Sequence, residues 1–276
     1  MKIHLVDGTY ELFRNHFGAP PKKAPDGREV GATLGLLRSL LMLLTSPGVT
    51  HVGVAFDHVI ESFRNGLWPG YKTGEGIEPT LWAQFHPLED ALAAMGVVVW
   101  PMVELEADDA LASAARIAAA DGRVEKVCLW TVDKDLGQCV RDDRVVQMDR
   151  RAHAMLDAAA IEEKFGVLPS LIADYLALVG DAADGYPGIA GIGKVSAVRL
   201  LRRYGAIERF PPDALGDRRG QALLFKKLAT VRTDAALFDD VEALRWHGPT
   251  PAFASWAQRM EAPRLVERAL EARAAS

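Results

Sequence analysis

Short apolar runs alternate with longer segments of helical periodicity through the first half of the chain. The runs that are typical of buried strands are Ile3–Val6, Val52–Phe56, Val97–Trp100, Val127–Val132 and the shorter Val145–Met148. Between them, apolar residues recur every three to four positions in Ala32–Leu44, Leu88–Met95 and Ala107–Ala119. This alternation predicts an α/β fold with a central, twisted and mostly parallel sheet.

The second half of the chain has no strand pattern after about residue 155. Its helical segments are Leu156–Phe165, Pro169–Val179, Val195–Tyr204, Ala222–Val231 and, as one packed helix, Ala254–Ala275. We therefore expect a core domain over residues 1–155 and a helical subdomain over residues 156–276.

A long connection interrupts the alternating pattern. Residues 58–86 are rich in glycine, proline and aromatic residues, and they include Arg64 and Lys72. Connections of this length in a compact domain are usually functional or disordered. We expect a functional loop that contacts a ligand through its cations and rings.

Composition excludes several classes of protein. No apolar run approaches 18 residues, and the first residues lack the apolar region of a signal peptide, so we expect a cytoplasmic protein without a membrane span. Cys128 and Cys139 fit neither a disulfide framework nor a zinc site. The net charge of −5 does not favour a nucleic-acid partner by itself.

Nine acidic residues change that picture. Some follow the predicted strands directly, and parallel strands place such residues at one edge of the sheet, where ligands bind. Others surround the start of a predicted helix or lie in the later segment GDAADG, where two aspartates are neighbours if the turn is helical. The nine residues are Asp7, Asp57, Glu106, Asp108, Asp109, Asp133, Asp135, Asp181 and Asp184. Without them, 32 basic residues stand against 28 acidic ones, which permits binding to phosphates.

Clustered carboxylates repel one another unless cations neutralise them. Oxygen ligands without nearby histidine or cysteine suit Mg²⁺ or Mn²⁺ better than zinc. A pair of such ions can hydrolyse a phosphodiester. The set therefore predicts a two-metal nuclease, although Asp7 alone is explained as simply by a helix N-cap.

A glycine-rich turn follows the last two acids. Gly188, Gly191 and Gly193 interrupt any helix, and a basic amphipathic helix then begins at Lys194. Such helix–turn–helix units present backbone N–H groups to phosphates, and Lys194, Arg199, Arg202 and Arg203 would add contacts that do not depend on base sequence.

In chain order, VDGT, VAFD, SFRNGLWPGYK, ELEADD, TVDKD and GDAADGYPGIAGIGKVSA resemble the 5′-nuclease family from residue 3 to about 210. The family includes the 5′–3′ exonuclease domain of bacterial DNA polymerase I, phage 5′-exonucleases and flap endonucleases. The resemblance implies a PIN-like core, a helical arch over about residues 58–86 and a helix–hairpin–helix at about residues 175–204. Because the chain ends where a polymerase would begin, we expect a stand-alone nuclease.

The resemblance also implies roles for single residues. All nine acids match the family's metal ligands for two Mg²⁺ or Mn²⁺ ions, and a K⁺ ion is implied at the hairpin. The residues expected to take part in catalysis are Lys72, Arg14, Asp7, Asp57, Asp109 and Asp133. Those expected to bind DNA are Phe13, Arg64, Tyr71, Lys72, Gly188, Gly191, Gly193, Lys194, Arg199 and Arg203. The implied activity is hydrolysis of DNA at 5′ ends, flaps or junctions, in replication or repair, with no obligate protein partner.

The sequence departs from the family pattern in two places. Gly185 stands where relatives commonly have asparagine, and Glu75 stands where the arch usually has arginine, with Glu78 close by. An acidic arch should repel phosphates. This favours one alternative, a DNA-structure-binding protein without activity. Two others stay open: an RNA-directed PIN-type nuclease, because phosphate contacts do not distinguish the sugars, and a phosphatase of the haloacid dehalogenase type, because VDGT and GDAAD resemble parts of its motifs. The phosphatase lacks its nucleophile, because Leu5 occupies that position.

Overall fold

The structure is a computed structural model that describes residues 1–275. A six-stranded sheet in the order β3-β2-β1-β4-β5-β6 forms its centre. The strands are β1 (Lys2–Asp7), β2 (His51–Asp57), β3 (Val98–Met102), β4 (Lys126–Trp130), β5 (Val145–Asp149) and β6 (Ala154–Leu156). The first five run parallel, and β6 pairs antiparallel with β5. The predicted α/β class with a mostly parallel sheet is confirmed, whereas β6 was not predicted because it is only three residues long.

Helices cover both faces of this sheet. The helices are α1 (Gly8–Gly18), α2 (Gly31–Leu44), α3 (Pro79–Trp82), α4 (Phe85–Ala94), α5 (Ala107–Ala120), α6 (Ala158–Phe165), α7 (Ile172–Val179), α8 (Lys194–Tyr204), α9 (Pro212–Leu215), α10 (Arg219–Ala229), α11 (Pro251–Arg259) and α12 (Arg264–Ala275). Side chains alternate along β1, so that Val6 packs with α2 and α4, whereas Ile3 and Leu5 pack with α5.

A second core lies outside the sheet. Helices α6, α7, α8 and α10 bury Ile161, Leu176, Leu201 and Phe225 against one another. Within this unit, α7 and α8 flank the glycine-rich turn, so the predicted helix–hairpin–helix is present.

The end of the chain returns to the first core. Val231 and Leu244 pack beside α5, and Phe253 and Leu265 pack beside α2 and α4. Residues 231–275, which we expected in the helical subdomain, therefore share the core of the first domain, and Ser276 lies outside the described residues. The tail is also two helices instead of one, because the chain turns at Glu261, whose φ is 48°. Such pairings between distant segments leave no local signal in the sequence.

The segment expected to form the arch contains little regular structure. It has one 3₁₀ turn, Phe63–Gly66, and the four-residue helix α3. Among residues 1–275, no helix is both long enough and apolar enough to cross a membrane.

Candidate metal centre

Three parallel strands bring their acidic ends together. In the sheet, Asp7 pairs with Ala55 on β2, and Val6 pairs with Trp130 on β4. The last residue of β2, Asp57, and the loop after β4 therefore lie at the same edge of the sheet as Asp7. The predicted convergence of the strand-terminal aspartates is confirmed.

Hydrogen bonds fix the first two aspartates. Asp7 accepts a hydrogen bond at Oδ1 from the backbone N–H of Tyr10, as the N-cap of α1, and one at Oδ2 from the hydroxyl of Thr131. Asp57 accepts at Oδ1 from the backbone N–H of Ala107, at the start of α5. Asp7 therefore does act as the N-cap of α1, as the simpler explanation required. It also lies beside the carboxylates of Asp57 and Asp133.

The loop after β4 is shaped by its own side chains. The backbone N–H of Asp133 donates to the hydroxyl of Thr131, and the N–H of Asp135 donates to Asp133 Oδ1. Gln147 supports the loop by donating from Nε2 to the carbonyl of Asp133. Asp135 is 6% exposed, whereas Asp133 faces solvent.

The last two aspartates come from the helical subdomain. Residues Asp181 and Tyr186 exchange two backbone hydrogen bonds of 2.9 and 3.1 Å, which closes a tight loop. This pairing folds the segment back on itself, so the turn is a closed loop and not a helical turn. The loop still presents Asp181 and Asp184 to Asp135.

Two groups of carboxylates result from this arrangement. Asp108, Asp133 and Asp135 form one group, and Asp135, Asp181 and Asp184 form the other, and within each the ligand oxygens lie within 4.8 Å of one another. Asp135 is common to both. Its Oδ1 is buried and has no hydrogen-bond partner within residues 1–275, which is costly for a carboxylate oxygen unless a cation binds there.

The pKa values of these carboxylates also indicate a site for cations. Burial, opposed by hydrogen bonds and reinforced by Asp57 and Asp133, raises the pKa of Asp7 to about 7. Burial and the charge of Asp133 raise the pKa values of Asp108 and Asp135 well above their ordinary range. Carboxylates with such raised pKa values hold protons near neutral pH unless a metal cation compensates their charge.

Lys72 provides part of that compensation. Its Nζ lies 2.8 Å from Glu106 Oε2 and 3.3 Å from Asp184 Oδ1. Burial opposes the charge of Lys72, but Glu106 and Asp184 raise its pKa well above the usual value. The pKa of Glu106 is lowered although burial acts against this, because Lys72 and Arg64 both lie beside it.

The segment that carries Lys72 docks on the loop of Asp184. The backbone N–H of Lys72 donates to the carbonyl of Asp184, and Trp68 Nε1 donates to the carbonyl of Gly185. Gly185 has a φ of +81°, and a Cβ on it would lie 2.0 Å from the carbonyl oxygen of Gly70. The glycine that departs from the family pattern therefore permits a close contact between these two segments.

Two predicted functional residues have structural roles instead. Arg64 is 2% exposed, and its guanidinium makes two hydrogen bonds of 2.8 Å to the oxygens of Asp109. Asp109 also accepts hydrogen bonds from the backbone N–H groups of Glu106 and Arg232. Both oxygens of Asp109 are therefore paired within the protein, and Asp109 belongs to neither group of three carboxylates, so its role as a metal ligand and catalytic residue stays a prediction. Arg64 is likewise too buried to contact DNA.

Glu106 is also committed to protein partners. Its carboxylate accepts from Ser62 and Arg64 at Oε1, and from Tyr71 and Lys72 at Oε2. Glu106 therefore positions Lys72 and does not belong to either three-residue group. Tyr71 is 3% exposed, which contradicts its expected contact with a DNA end.

Two residues of α1 lie beside the cluster. Arg14 pairs with Glu11 at 2.5 Å and approaches Ser39 at 3.5 Å, and within residues 1–275 it forms no ion pair with the five acids of the two groups. Phe13 packs edge-on against Phe85 and contacts Phe17, which is 69% exposed and was not singled out from the sequence.

The helix–hairpin–helix presents a basic, exposed end. A Cβ on Gly188 would lie 2.4 Å from the backbone nitrogen of Gly180, so this glycine lets the turn pack onto the end of α7. Gly191 and Gly193 lie in the exposed part of the turn, directly before α8. Lys194, Arg199 and Arg203 are exposed on α8, as a phosphate-binding surface requires.

Three polar residues at the cluster were not predicted from the sequence. Thr131 binds Asp7 and Asp133, Lys134 forms an ion pair with Asp181, and the buried hydroxyl of Tyr186 lacks a partner within residues 1–275. Thr131 and Lys134 belong to the motif TVDKD, but spacing alone does not reveal which residues they contact.

Fold and site together define an α/β protein with a cluster of carboxylates at the strand ends that is suited to divalent cations. Two family models cover most of the chain: the N-terminal resolvase-like domain of 5′-3′ exonucleases matches residues 2–166, and their C-terminal SAM fold matches residues 167–252. The chain belongs to the 5′-3′ exonuclease family.

Individual proteins support this assignment. The chain is 34% identical over 259 residues to DNA polymerase I of Pseudomonas aeruginosa, covering 87% of this chain but only 28% of the polymerase. It is 31% identical over 207 residues to a 5′-3′ exonuclease of Aquifex aeolicus, covering 75% of this chain and 71% of that protein. The fold is similar to that of the bacteriophage T5 D15 flap endonuclease in complex with DNA and metal ions, with a TM-score of 0.67, 19% identity and coverage of 99% and 100%. The predicted PIN-like fold is therefore confirmed.

Proposed function

We propose that this chain is a metal-dependent nuclease that hydrolyses DNA phosphodiesters at 5′ ends, flaps or junctions. The observation that carries the proposal is the sharing of Asp135 by two groups of three carboxylates. A shared carboxylate is a suitable bridge between two cations, and two neighbouring divalent cations are a common device for phosphodiester hydrolysis.

The residues present fit two hard cations. All five members of the two groups offer oxygen, and the unpartnered Oδ1 of Asp135 needs a positive partner. Asp108 and Asp133 would hold one Mg²⁺ or Mn²⁺ ion, Asp181 and Asp184 the other, and Asp135 both. When bound, the ions supply the Lewis acidity that activates water and stabilises the leaving oxygen.

The protein's own groups would position and neutralise the substrate. Lys72 is held at the cluster by Glu106 and Asp184, and a quarter of its side chain is exposed. Its ammonium can donate to a phosphate oxygen on which negative charge develops. Asp7 and Asp57 border the cluster and would orient ligands of the cations through hydrogen bonds.

The exposed end of α8 would bind the duplex. Lys194, Arg199 and Arg203 offer charge to the phosphate backbone, and the exposed Gly191 and Gly193 allow it to approach closely. We extend the proposal to a K⁺ ion at this turn, which offers backbone carbonyls between Gly188 and Gly193.

Cleavage of defined substrates tests the activity. A 5′-labelled flap, a nicked duplex, a single strand and their RNA counterparts are incubated with Mg²⁺, Mn²⁺ or EDTA. We expect metal-dependent cutting of the DNA substrates near the junction or the 5′ end. Binding without cutting under every condition would identify a DNA-structure-binding relative, and preferential cutting of RNA would identify an RNA-directed nuclease.

Duplex binding at α8 is tested separately. Replacing Lys194 and Arg203 with alanine should weaken duplex binding and reduce the slope of log affinity against log salt by about 2, one for each lost phosphate contact. The matched control replaces the exposed Lys164 and Lys227. Unchanged affinity in the α8 variant, or an equal loss in the control, would place the duplex elsewhere.

A further inference from the structure

An arginine at the end of the sheet shares a buried glutamate with Arg14. Glu11 lies on α1, and its side chain is 2% exposed. Its Oε2 accepts hydrogen bonds of 3.2 and 2.5 Å from Nε and Nη2 of Arg14. Its Oε1 lies 3.4 Å from Nε of Arg150, which directly follows β5. Two guanidiniums therefore flank one carboxylate, and we call these three residues the Glu11 triad.

The Glu11 triad carries one surplus positive charge. Within residues 1–275, neither Arg14 nor Arg150 forms a second ion pair. The adjacent acid, Asp149, accepts backbone N–H groups of its own turn instead. A surplus guanidinium charge attracts an anion, and phosphate suits it well because two N–H groups can bind two phosphate oxygens.

Arg14 has one edge of its guanidinium free. Its Nε and Nη2 bind Glu11, and Nη2 also approaches Ser39 Oγ at 3.5 Å. Within residues 1–275, its Nη1 has no hydrogen-bond partner, and a third of the side chain is exposed. Arg14 can therefore donate from Nη1 to a phosphate oxygen without losing its contact with Glu11.

The Glu11 triad lies next to the clustered carboxylates. Arg14 and Arg150 line a cavity of about 500 Å³ together with Trp130. The residue after Trp130 is Thr131, whose hydroxyl donates to Asp7 Oδ2. A phosphate group in this cavity would therefore lie beside the carboxylates.

Arg150 is itself held in place by aromatic and backbone contacts. Its guanidinium carbon lies 4.4 Å from the centre of the Trp130 ring, and Trp130 Nε1 donates to His4 Nδ1 on β1 at 3.0 Å. Its Nη1 lies 3.4 Å from the carbonyl oxygen of Ser39 on α2. Arg150 Nε has no hydrogen-bond partner within residues 1–275, so its contact with Glu11 is ionic. The charge of Arg150 therefore stays at a fixed place beside Glu11.

The same arrangement of charges occurs at Lys72. There a buried glutamate, Glu106, holds a partly exposed cation, and the buried Arg64 pairs with that glutamate. In the Glu11 triad, Arg14 corresponds to Lys72, and Arg150 corresponds to Arg64. A cation that is already fixed needs little reorganisation when negative charge develops on the substrate. The second arginine prevents the carboxylate from neutralising the first.

We propose that Glu11 and Arg150 are positioning residues for Arg14 in the cleavage of DNA. Glu11 fixes the direction of the Arg14 guanidinium, and Arg150 offsets the charge of Glu11, so that Arg14 still attracts a phosphate of the substrate. Both residues act through Arg14 and not through their own contact with DNA. The inference rests on the proposed nuclease function.

Single-turnover cleavage of a 5′-flap DNA in saturating Mg²⁺ tests the role of Arg150. Arg150→Met keeps an apolar contact with Trp130 but loses the charge, and we expect it to slow cleavage about tenfold. In a protein that already carries Arg14→Met, the same change should slow cleavage by less than about twofold, because the residue through which it acts is absent. Arg150→Lys keeps the charge and should retain most of the rate. Arg151→Met removes an exposed arginine of the same turn and, as the control, should leave the rate unchanged.

A second variant, Glu11→Gln, separates positioning from charge. It keeps the shape of the side chain but leaves Arg14 and Arg150 without a carboxylate. Affinity for the same DNA, measured with EDTA, should stay constant or rise up to about threefold, because one more positive charge is unpaired. The cleavage rate should nevertheless fall about tenfold, because Arg14 is less firmly oriented. A loss of packing alone would not lower the rate while it preserves affinity.

Three results would overturn the inference. They are equal slowing by Arg150→Met with and without Arg14, unchanged rates in both Arg150→Met and Glu11→Gln, and a Glu11→Gln protein that loses affinity and rate to the same extent. Failure of the proposed function looks different. A wild-type protein that cuts no DNA would refute the nuclease and the inference together, whereas an active wild-type protein with additive losses in the double variant would refute the inference alone.

Discussion

Lys72 Nζ lies 2.8 Å from Glu106 Oε2, so the ammonium beside the clustered carboxylates is anchored by a residue that belongs to neither group of three. Glu106 is in turn held by Arg64 at 3.0 Å. This chain of charges links the segment of residues 58–86 to the start of α5. These ion pairs hold Lys72 in a fixed position although residues 58–86 contain little regular structure.

Removing this ammonium should slow the reaction more than it weakens binding. We expect Lys72→Ala to lower the single-turnover rate about a hundredfold, because a charged donor to the developing negative charge is lost. DNA affinity, measured with EDTA, should change by less than about threefold, since one phosphate contact contributes little. Lys164→Ala is the control. A loss of affinity without a loss of rate would refute this role.

Arg64 should matter for stability and not for DNA contact. Arg64→Leu leaves Asp109 and Glu106 buried without their guanidinium partner, which we expect to cost about 3–5 kcal/mol in the free energy of unfolding. Arg28→Leu breaks an exposed pair with Asp26 and should lower the free energy of unfolding far less, because solvent screens that pair. Denaturant unfolding measures both. Equal, small losses would show that the buried pair does not hold α5 and the Lys72 segment together.

Gly185 should be required for the docking of the Lys72 segment. Gly185→Ala places a Cβ 2.0 Å from the carbonyl oxygen of Gly70 at a φ of +81°. Gly76→Ala is a matched control, because Gly76 has a φ of +85° and no atom within 4 Å of its Cβ position. Both variants carry the strain of a left-handed residue, so we expect Gly185→Ala to lose about 1–3 kcal/mol more stability. Equal losses in the two unfolding curves would contradict the contact.

Divalent cations should stabilise the protein most at neutral and alkaline pH. Burial and its acidic neighbours raise the pKa of Asp7 from its ordinary 3.8 to about 7. Between these values the metal-free folded state binds more protons than the unfolded chain, so its stability falls as pH rises from about 4 to 7. Mg²⁺ bound to the neighbouring carboxylates compensates their charge and so favours the ionised form of Asp7. We therefore expect Mg²⁺, compared with EDTA, to raise the thermal midpoint more at about pH 8 than at about pH 5.5. An equal shift at both pH values would argue against binding at these carboxylates.

Local patterns were sufficient to predict the strand-end aspartates. Short apolar runs mark buried parallel strands, and the carboxyl ends of parallel strands lie at the same edge of a sheet. Asp7 and Asp57 could therefore be predicted to lie close together without a structure. The acids in the GDAADG segment were also placed together, although the turn that presents them is a closed loop and not a helix.

It was harder to predict which of two adjacent acids on one helix faces the cluster. Asp108 and Asp109 follow each other in the motif EADD, but successive helical residues point about 100° apart, so only one can face the cluster. Asp109 lies three positions after the N-cap Glu106 and accepts its backbone N–H, an arrangement that capping rules could have indicated.

Contacts between distant segments could not be predicted from local patterns. The partners of Arg64, at Asp109 and at the carbonyls of Leu228 and Thr230, lie 45 to 166 residues away in sequence. The packing of α12 against the first core is likewise a contact between segments that are distant in sequence. The spacing of apolar residues in α12 predicts a packed helix but does not indicate which surface the helix covers.

The shared role of Asp135 is tested most directly by the rate at which Asp135→Asn cleaves a 5′-flap DNA in Mg²⁺, with the exposed Asp90→Asn as control. Asp135→Asn removes one charge from the shared ligand and relieves repulsion in the metal-free protein, so the variant should fold at least as stably as wild type in EDTA. We expect cleavage by Asp135→Asn to fall about a hundredfold or more, while the control cuts at the wild-type rate. A folded Asp135→Asn protein that cuts as fast as wild type would contradict the shared-carboxylate metal centre.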